Sequence, residues 1–176
     1  MNRVLTAIVT PFTESGQIDM DSLIELTRFQ ILNNCGVVLF GTTGECPTIN
    51  INEMKDIFEN ICKHFNVTNF VIGVGGNNTD NCLKNIDLAK SYGFKMFMLT
   101  VPYYNKPTQK GLEAHFSHIC NSYPEDKFIL YNVPSRCGVN MTATTVSNIY
   151  KFNKNIIAIK EASGDILQCS EVRRLS

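Results

Sequence analysis

Short apolar runs alternate along this chain with longer segments in which apolar residues recur at every third or fourth position. Runs of the first kind are typical of buried β-strands, and segments of the second kind are typical of amphipathic helices. The apolar runs begin near residues 4, 37, 70, 95, 128 and 156. Helical segments are predicted near residues 23–32, 52–65, 79–92, 109–122 and 143–150, with another opening at Ile166. Asp21 and Ser22 are candidate caps of the first helix.

The strands recur at intervals of about 30 residues, which is the size of one strand–helix unit. Alternating units with fully apolar strands predict a parallel sheet, either doubly wound or closed as a barrel, and the periodicity alone does not choose between them. A complete eightfold barrel typically needs about 250 residues. The 176 residues of this chain have room for about six units, so we expect one incomplete domain over residues 1–176.

The charge and hydropathy of the chain argue against nucleic acids and membranes as binding partners. Sixteen basic residues balance sixteen acidic ones, and no run of like charge occurs. Neither a nucleic acid nor an anionic membrane surface is therefore predicted as a partner. The apolar run at residues 4–9 is too short for a signal peptide and is cut off by Pro11, and no window is long enough to span a bilayer. We expect a cytoplasmic protein.

The cysteines and histidines do not form a ligand pattern. Seven cysteines are an odd number with no close pair, which favours reduced thiols. His115 and His118 share a predicted helical face but lack a third ligand, so no metal site is predicted.

The apolar residues Ile156–Ile159 predict a strand that is buried on both faces. Lys160 follows them directly, at the point where this strand should end. One interpretation is that Lys160 is simply the first solvated residue of a loop. The other is an amine that the apolar strand end keeps uncharged, so that it can attack a carbonyl carbon as a neutral nucleophile. One lysine cannot decide between these interpretations.

Three other loops at strand ends are rich in polar residues. Gly41–Glu45 offers two hydroxyls and exposed amides to a small anion, residues 101–107 contain Tyr103 and Tyr104, and residues 131–138 contain Tyr131 and Arg136. Alone, each loop could be a plain turn, a packing contact or a surface charge. Loops that follow parallel strands meet at one end of the sheet, so together with Lys160 they predict an active site there.

These residues carry a resemblance to a known family. From residues 7–11 to residues 159–164, the chain resembles the class I aldolase-like lyases of the dihydrodipicolinate synthase and N-acetylneuraminate lyase family. The resemblance implies a (β/α)8 TIM-barrel fold, here truncated to about six strand–helix units. It also implies an enzyme with neither a metal nor an organic cofactor.

The resemblance further implies a role for each site residue. Lys160 would form an imine with pyruvate, and Tyr131 would shuttle protons with Thr43 and Tyr104, the latter acting across a subunit interface of a homo-oligomer. Thr42 and Thr43 would hold the pyruvate carboxylate. Arg136 would bind the carboxylate of aspartate 4-semialdehyde, since its planar fork suits a carboxylate.

Arg136 favours synthesis of 4-hydroxy-tetrahydrodipicolinate, in lysine and diaminopimelate biosynthesis, over cleavage of a sugar acid. Two alternatives remain open at this point. Another pyruvate-dependent aldolase, such as N-acetylneuraminate lyase, would keep the imine and change the acceptor. A truncated, non-catalytic remnant would keep the motifs without a working pocket.

The sequence departs from the family pattern in two ways. At the positions of the family's lysine-binding cleft Asn77 and Tyr103 fit, but Ile51, Met54 and Asn81 stand where polar, often histidine or acidic, residues would be expected. This difference predicts weak or absent lysine feedback. The last strand–helix units and the C-terminal helical region are also absent, so we expect uncovered sheet edges unless another segment or copy covers them.

Overall fold

A computed structural model describes residues 4–176, so the first three residues of the predicted 1–176 domain lie outside the described residues. The chain forms two compact units. The first contains the residues up to Gly73 together with Asp87–Lys95, and the second contains Val74–Ile86 and Met96–Ser176. That residues 1–176 form a single incomplete barrel domain stays a prediction.

The first unit contains three parallel strands in the order β1-β2-β3. In chain order its elements are β1 (Leu5–Ala7), α1 (Met20–Leu32), β2 (Gly36–Leu39), α2 (Ile51–His64) and β3 (Phe70–Gly73). Short 3₁₀ turns lie at Cys46–Thr48 and Val67–Asn69. Helix α3 (Thr79–Ser91) begins in the second unit and ends in the first.

The second unit contains three further parallel strands in the order β4-β5-β6. Its remaining elements are β4 (Met96–Thr100), α4 (Gln109–Ser122), β5 (Lys127–Asn132), α5 (Pro134–Cys137), α6 (Ala143–Phe152), β6 (Ile156–Glu161) and α7 (Ile166–Leu175). Each unit therefore repeats the strand–helix alternation that the sequence predicts.

Side-chain caps set where the helices begin. The prediction that Asp21 or Ser22 caps α1 is wrong, because the carboxylate of Asp19 accepts the N–H of Ser22 and starts the helix earlier. Asn50 and Glu53 form a reciprocal capping box at the start of α2. No helix within residues 4–176 is both long and apolar enough to cross a membrane.

Aromatic side chains fill the core of the first unit. Phe58 of α2 is fully buried, and its ring centroid lies 5.4 Å from that of Phe40 and 4.9 Å from that of Phe94. These separations are typical of favourable aromatic pairs. Helix α2 is thereby fixed against the residues that follow β2, which carry the predicted anion-binding turn.

Two strands differ from the expectation of strands buried on both faces. Strand β1 is shorter than the apolar run at residues 4–9, and Val4 and Val9 are exposed. In β6, Ile157 is 40% exposed. The apolar runs at these positions correctly predict strands but overstate their burial, because each strand has one paired neighbour within the described part of the chain.

His115 of α4 is a buried histidine with a structural role. Its Nδ1 lies 2.8 Å from the Thr79 hydroxyl at the start of α3, whereas its Nε2 is buried without a hydrogen-bond partner among the described residues. Burial, with a smaller contribution from His118, lowers the pKa of His115 from 6.5 to about 4. No group of three or more acidic, cysteine or histidine side chains within residues 4–176 is placed to hold a metal ion.

The burial of His115 predicts a loss of stability in mild acid. Between pH 6.5 and about pH 4 the unfolded chain binds a proton at this residue that the folded chain does not. The free energy of unfolding should therefore fall as the pH falls through this window, by up to about 1.4 kcal/mol per pH unit. Urea denaturation across the window measures this slope.

We expect His115→Gln to flatten the slope, whereas His64→Gln, at an exposed position in the last turn of α2, should leave it in place. Equal slopes in the unmodified chain and in His115→Gln would contradict the assignment.

Candidate active site

The centre of the candidate site is a lysine that lies over a tyrosine. Tyr131 of β5 is paired in register with Lys160 of β6, and the Lys160 Nζ lies 4.3 Å from the centroid of the Tyr131 ring. Tyr131 is buried, whereas Lys160 is exposed. The aromatic face attracts the amine and holds it beside the phenol at the carboxyl ends of the two strands.

An irregularity in β6 produces this pairing. Phe128 is paired with Ile156, but the next residue of β5, Ile129, is paired with Ala158, so Ile157 is an extra residue in β6. Without it, Tyr131 would face Ile159, and Lys160 would point to the other side of the sheet. Bulges of this kind are frequent next to active sites, where they redirect side chains.

Neither sequence-based interpretation of Lys160 described its position fully. Lys160 is the fifth residue of β6, which continues through Glu161, so it is not the first residue of a loop. Pairing extends further still, since the N–H of Ala162 donates to the carbonyl oxygen of Asn132 at 2.8 Å. The amine thus extends from a paired strand, which limits the freedom of its backbone.

The turn after β2 presents unpaired polar groups. The N–H of Gly44 donates to the carbonyl oxygen of Gly41 and the N–H of Glu45 to that of Thr42, both at 3.1 Å. Within residues 4–176, the N–H groups and hydroxyls of Thr42 and Thr43 have no hydrogen-bond partner, and both residues are exposed. Two amides and two hydroxyls in one turn can bind a small anion.

Close packing fixes the shape of this turn. The Thr10 hydroxyl donates to the Gly44 carbonyl oxygen at 2.8 Å, and Thr10 is buried. A Cβ atom at Gly44 would lie 3.1 Å from the carbonyl oxygen of Ile8, so a larger residue would push the turn away from the end of β1. Phe40 enters the turn with a left-handed φ of 55°, while its ring is anchored on Phe58.

Tyr104 lies on the exposed loop between β4 and α4. Its backbone has a left-handed φ of 70°, and the residue is 87% exposed. Its hydroxyl has no hydrogen-bond partner among residues 4–176. The start of the loop is anchored, since the buried Cys137 thiol donates to the Val101 carbonyl oxygen at 3.1 Å. An exposed tyrosine in a left-handed conformation is unusual for a residue with only a packing role.

The sequence predicts that Arg136 lies in a loop, but the structure places it on the short helix α5. Gly138 ends this helix in a left-handed conformation. Arg136 is exposed, and no carboxylate in the described part of the chain forms an ion pair with it. Its guanidinium is therefore free to bind an external carboxylate.

Lys160 and Tyr131 are the predicted site residues that the structure brings into contact. Tyr104 and Arg136 belong to the same unit as this pair, and no hydrogen bond in the described residues joins them to it. Thr42 and Thr43 belong to the other unit, and their binding of an anion stays a prediction.

Sequence reasoning missed a polar network on the face of the sheet opposite the lysine. Glu161, which follows Lys160, accepts hydrogen bonds from Asn132, which follows Tyr131. Asn140 and Gln168 complete the network. The only available signal was that both residues are polar and directly adjacent to the predicted catalytic pair, because side chains alternate between the faces of a strand.

Comparison with known proteins assigns the family. The family model described as the dihydrodipicolinate synthetase family matches residues 1–176. The chain belongs to this family. The prediction of a fold from the (β/α)8 barrel family, in six strand–helix units, is confirmed by solved members of the family.

One relative and two solved structures illustrate the similarity. The chain is 43% identical over 173 residues to the 4-hydroxy-tetrahydrodipicolinate synthase of Geobacter metallireducens, covering 97% of this chain and 59% of that protein. The dihydrodipicolinate synthase structure from Thermotoga maritima has a TM-score of 0.90 at 36% identity, covering 99% of this chain and 59% of that one. The structure from Cyanidioschyzon merolae with lysine bound has a TM-score of 0.94 at 35% identity and covers 99% and 60%. The chain thus spans less than two thirds of the length of these relatives.

The buried Thr10 and the exposed Thr43 should respond differently to the same substitution. Thr10→Val should lower the free energy of unfolding by about 1–3 kcal/mol, because it leaves the buried Gly44 carbonyl oxygen without its donor. Thr43→Val, the same chemical change at an exposed residue without a partner among residues 4–176, should alter it by less than about 0.5 kcal/mol. Chemical denaturation measures both, and equal effects would show that Thr10 does not fix the turn.

Proposed function

We propose that this chain carries the pyruvate-binding and imine-forming residues of a class I lyase. The reaction would condense pyruvate with aspartate 4-semialdehyde to 4-hydroxy-tetrahydrodipicolinate in lysine biosynthesis. The observation that carries the proposal is the position of the Lys160 Nζ, 4.3 Å from the Tyr131 ring centroid, in a member of this family. The relatives named 4-hydroxy-tetrahydrodipicolinate synthase support the choice of reaction.

The chemistry begins with attack of the neutral Lys160 amine on the ketone carbon of pyruvate. Loss of water gives an imine, which accepts electrons when the adjacent methyl group loses a proton. The resulting enamine carbon attacks the aldehyde carbon of the second substrate and forms the new carbon–carbon bond. This bond formation regenerates the imine on Lys160. The amino group of the second substrate then attacks the imine carbon, so that a new carbon–nitrogen bond closes the ring while the bond to Lys160 breaks and the lysine leaves as the free amine.

Proton transfer is the proposed role of Tyr131. Its phenol lies beside the lysine on the neighbouring strand, and a positioned hydroxyl can accept and return the protons of carbinolamine and imine formation. Thr43 and Tyr104 would complete the relay. The exposure of Tyr104 and its left-handed backbone are consistent with a side chain that acts across a subunit interface. We therefore propose a cytoplasmic homo-oligomer.

Two separate anion sites would hold the two substrates. The free amides and hydroxyls of Thr42 and Thr43 suit the pyruvate carboxylate, and the unpaired Arg136 guanidinium suits the carboxylate of aspartate 4-semialdehyde. The amine supplies the electron sink after it becomes an imine, so the proposed reaction needs neither a metal nor an organic cofactor.

Borohydride reduction tests the proposed imine. With pyruvate present, we expect peptide mass spectrometry to find a reduced pyruvate adduct on Lys160. Lys160→Arg should abolish the adduct, because a guanidinium is not nucleophilic near neutral pH. Lys154→Arg is a matched control, since the Lys154 Nζ also lies over an aromatic ring, 4.9 Å from the centroid of Tyr150.

An adduct that persists in Lys160→Arg, or that forms on Lys154, would contradict the assignment of Lys160 as the reactive amine. The absence of any adduct would favour a non-catalytic remnant.

Weak binding of lysine is a second expectation. Ile51 at the start of α2 is exposed and apolar, and Met54 is buried in the core, so neither offers hydrogen bonds to a charged amino acid. Calorimetric titration with lysine should therefore show no binding in the low micromolar range. The Cyanidioschyzon merolae protein, whose structure contains lysine, is a positive control. A low micromolar dissociation constant for this chain would contradict the expectation.

A further inference from the structure

A polar network lies on the opposite side of the sheet from the lysine–tyrosine pair. We define the Glu161 network as the side chains of Glu161, Asn132, Asn140 and Gln168. Asn132 is completely buried, and the other three are half-buried. Asn132 follows Tyr131 in β5, Glu161 follows Lys160 in β6, and the two are partners in the strand register. The network therefore begins one residue beyond the pair, where side chains point to the other face.

The Glu161 carboxylate is the acceptor at the centre of this network. Its Oε1 accepts the backbone N–H of Ser163 at 2.9 Å and lies 3.0 Å from the Asn132 Nδ2. Its Oε2 lies 3.0 Å from the same Nδ2 and accepts from the Gln168 Nε2 at 2.8 Å. The carboxylate thus joins the end of β5, the segment after β6 and the first turn of α7.

The remaining bonds fix the orientation of each amide. The Asn132 Oδ1 accepts the backbone N–H of Met141 at 3.0 Å, which makes its Nδ2 the group that faces Glu161. The Asn132 Nδ2 also lies 2.7 Å from the Asn140 Oδ1, and the Asn140 Nδ2 donates to the Gln168 Oε1 at 2.6 Å. Donors and acceptors are matched around the ring, so the network favours one arrangement.

The extra residue Ile157 makes such a constraint necessary. Backbone pairing alone permits β6 to slide by one residue along β5, and the bulge shows that both registers occur within this one strand pair. A slip of one residue would move Lys160 to the opposite face, away from the Tyr131 ring. It would also turn the Glu161 carboxylate away from Asn132, which would leave a buried amide without its acceptor.

We propose that Glu161 is a positioning residue whose carboxylate locks the register of β6 on β5 and so keeps the Lys160 amine over the Tyr131 ring. The lock acts from the face opposite the amine, and Glu161 itself touches no reacting atom. The placement of the amine is a property of the folded chain. Its value for catalysis rests on the proposed imine chemistry.

Nuclear magnetic resonance measures the placement without any need for activity. Protons above an aromatic ring resonate upfield, so the ε-methylene protons of Lys160 should be shifted upfield and should show nuclear Overhauser effects to the Tyr131 ring. The signal is assigned by its absence in Lys160→Arg. In Glu161→Gln an amide nitrogen meets donors where an oxygen accepted them. We expect the upfield shift and the Overhauser effects to be lost.

Three further variants sharpen the comparison. Glu113→Gln is the matched control, because it alters a carboxylate that also accepts from an asparagine, Asn148, at 2.8 Å; the Lys160 signals should not move. Asn132→Asp combined with Glu161→Gln exchanges acceptor and donor and should restore them. Gln168→Ala removes the donor to the Glu161 Oε2 and the acceptor of the Asn140 Nδ2 but keeps the Glu161 carboxylate, and it should reduce the upfield shift even if Glu161→Gln fails to fold.

Trapping of pyruvate with borohydride gives the functional readout. We expect the rate of adduct formation to fall by about tenfold or more in Glu161→Gln and to recover in the double variant, since small displacements of a reacting group are costly. If the unmodified chain shows the upfield shift but traps no pyruvate, the proposed function fails while the register lock stands. An unchanged Lys160 signal in a folded Glu161→Gln or in Gln168→Ala would overturn the lock.

Discussion

The candidate site depends on one constraint, the register in which β6 pairs with β5. Parallel pairing sets which side chains become neighbours, and the extra residue Ile157 sets that Lys160, rather than its predecessor, faces Tyr131. The pairing brings the two residues side by side, and the Lys160 Nζ then lies 4.3 Å from the centroid of the Tyr131 ring. The same pairing puts Glu161 beside Asn132 on the other face. The lysine–tyrosine pair is thus followed directly, on the other face of the sheet, by the Glu161–Asn132 pair.

In the first unit, side-chain packing holds the turn after β2 in place. The turn at Gly41–Glu45 needs a sharp change of chain direction directly after β2, and Phe40 takes a left-handed backbone conformation there. Such a conformation is unfavourable for a large side chain, and burial of the Phe40 ring against Phe58 offsets the cost. The Thr10 hydroxyl then holds the far side of the turn.

Much of this architecture could be predicted from the sequence because it is governed by local periodicity. Helix α4 begins and ends at the predicted residues, since Leu112, Phe116 and Ile119 form a regular buried stripe and Thr108 caps its start. Helix α5 was missed because four residues are too few to show a period. The convergence of Lys160 and Tyr131 could also be anticipated, because loops and residues at the ends of parallel strands share one edge.

The bulge at Ile157 and the Glu161 network could not be predicted from the sequence. Both depend on which residue of one strand lies opposite which residue of another, and this is decided by packing across many positions. The apolar run at residues 156–159 gives no sign that one of its isoleucines is an insertion. Likewise, no pattern in the sequence distinguishes the buried Thr10, which supports the turn, from the exposed Thr43 within it.

The anchoring of the turn after β2 also affects how a ligand would associate. Because contacts of Thr10, Gly44 and Phe40 hold the backbone of the turn in the folded chain, the amides of Thr42 and Thr43 are preorganised. A carboxylate as small as that of pyruvate makes few hydrogen bonds, and its affinity would suffer if it also had to immobilise a flexible segment. Under the proposed binding of pyruvate, that entropic penalty is met when the chain folds, so the carboxylate would meet amides that are already in place.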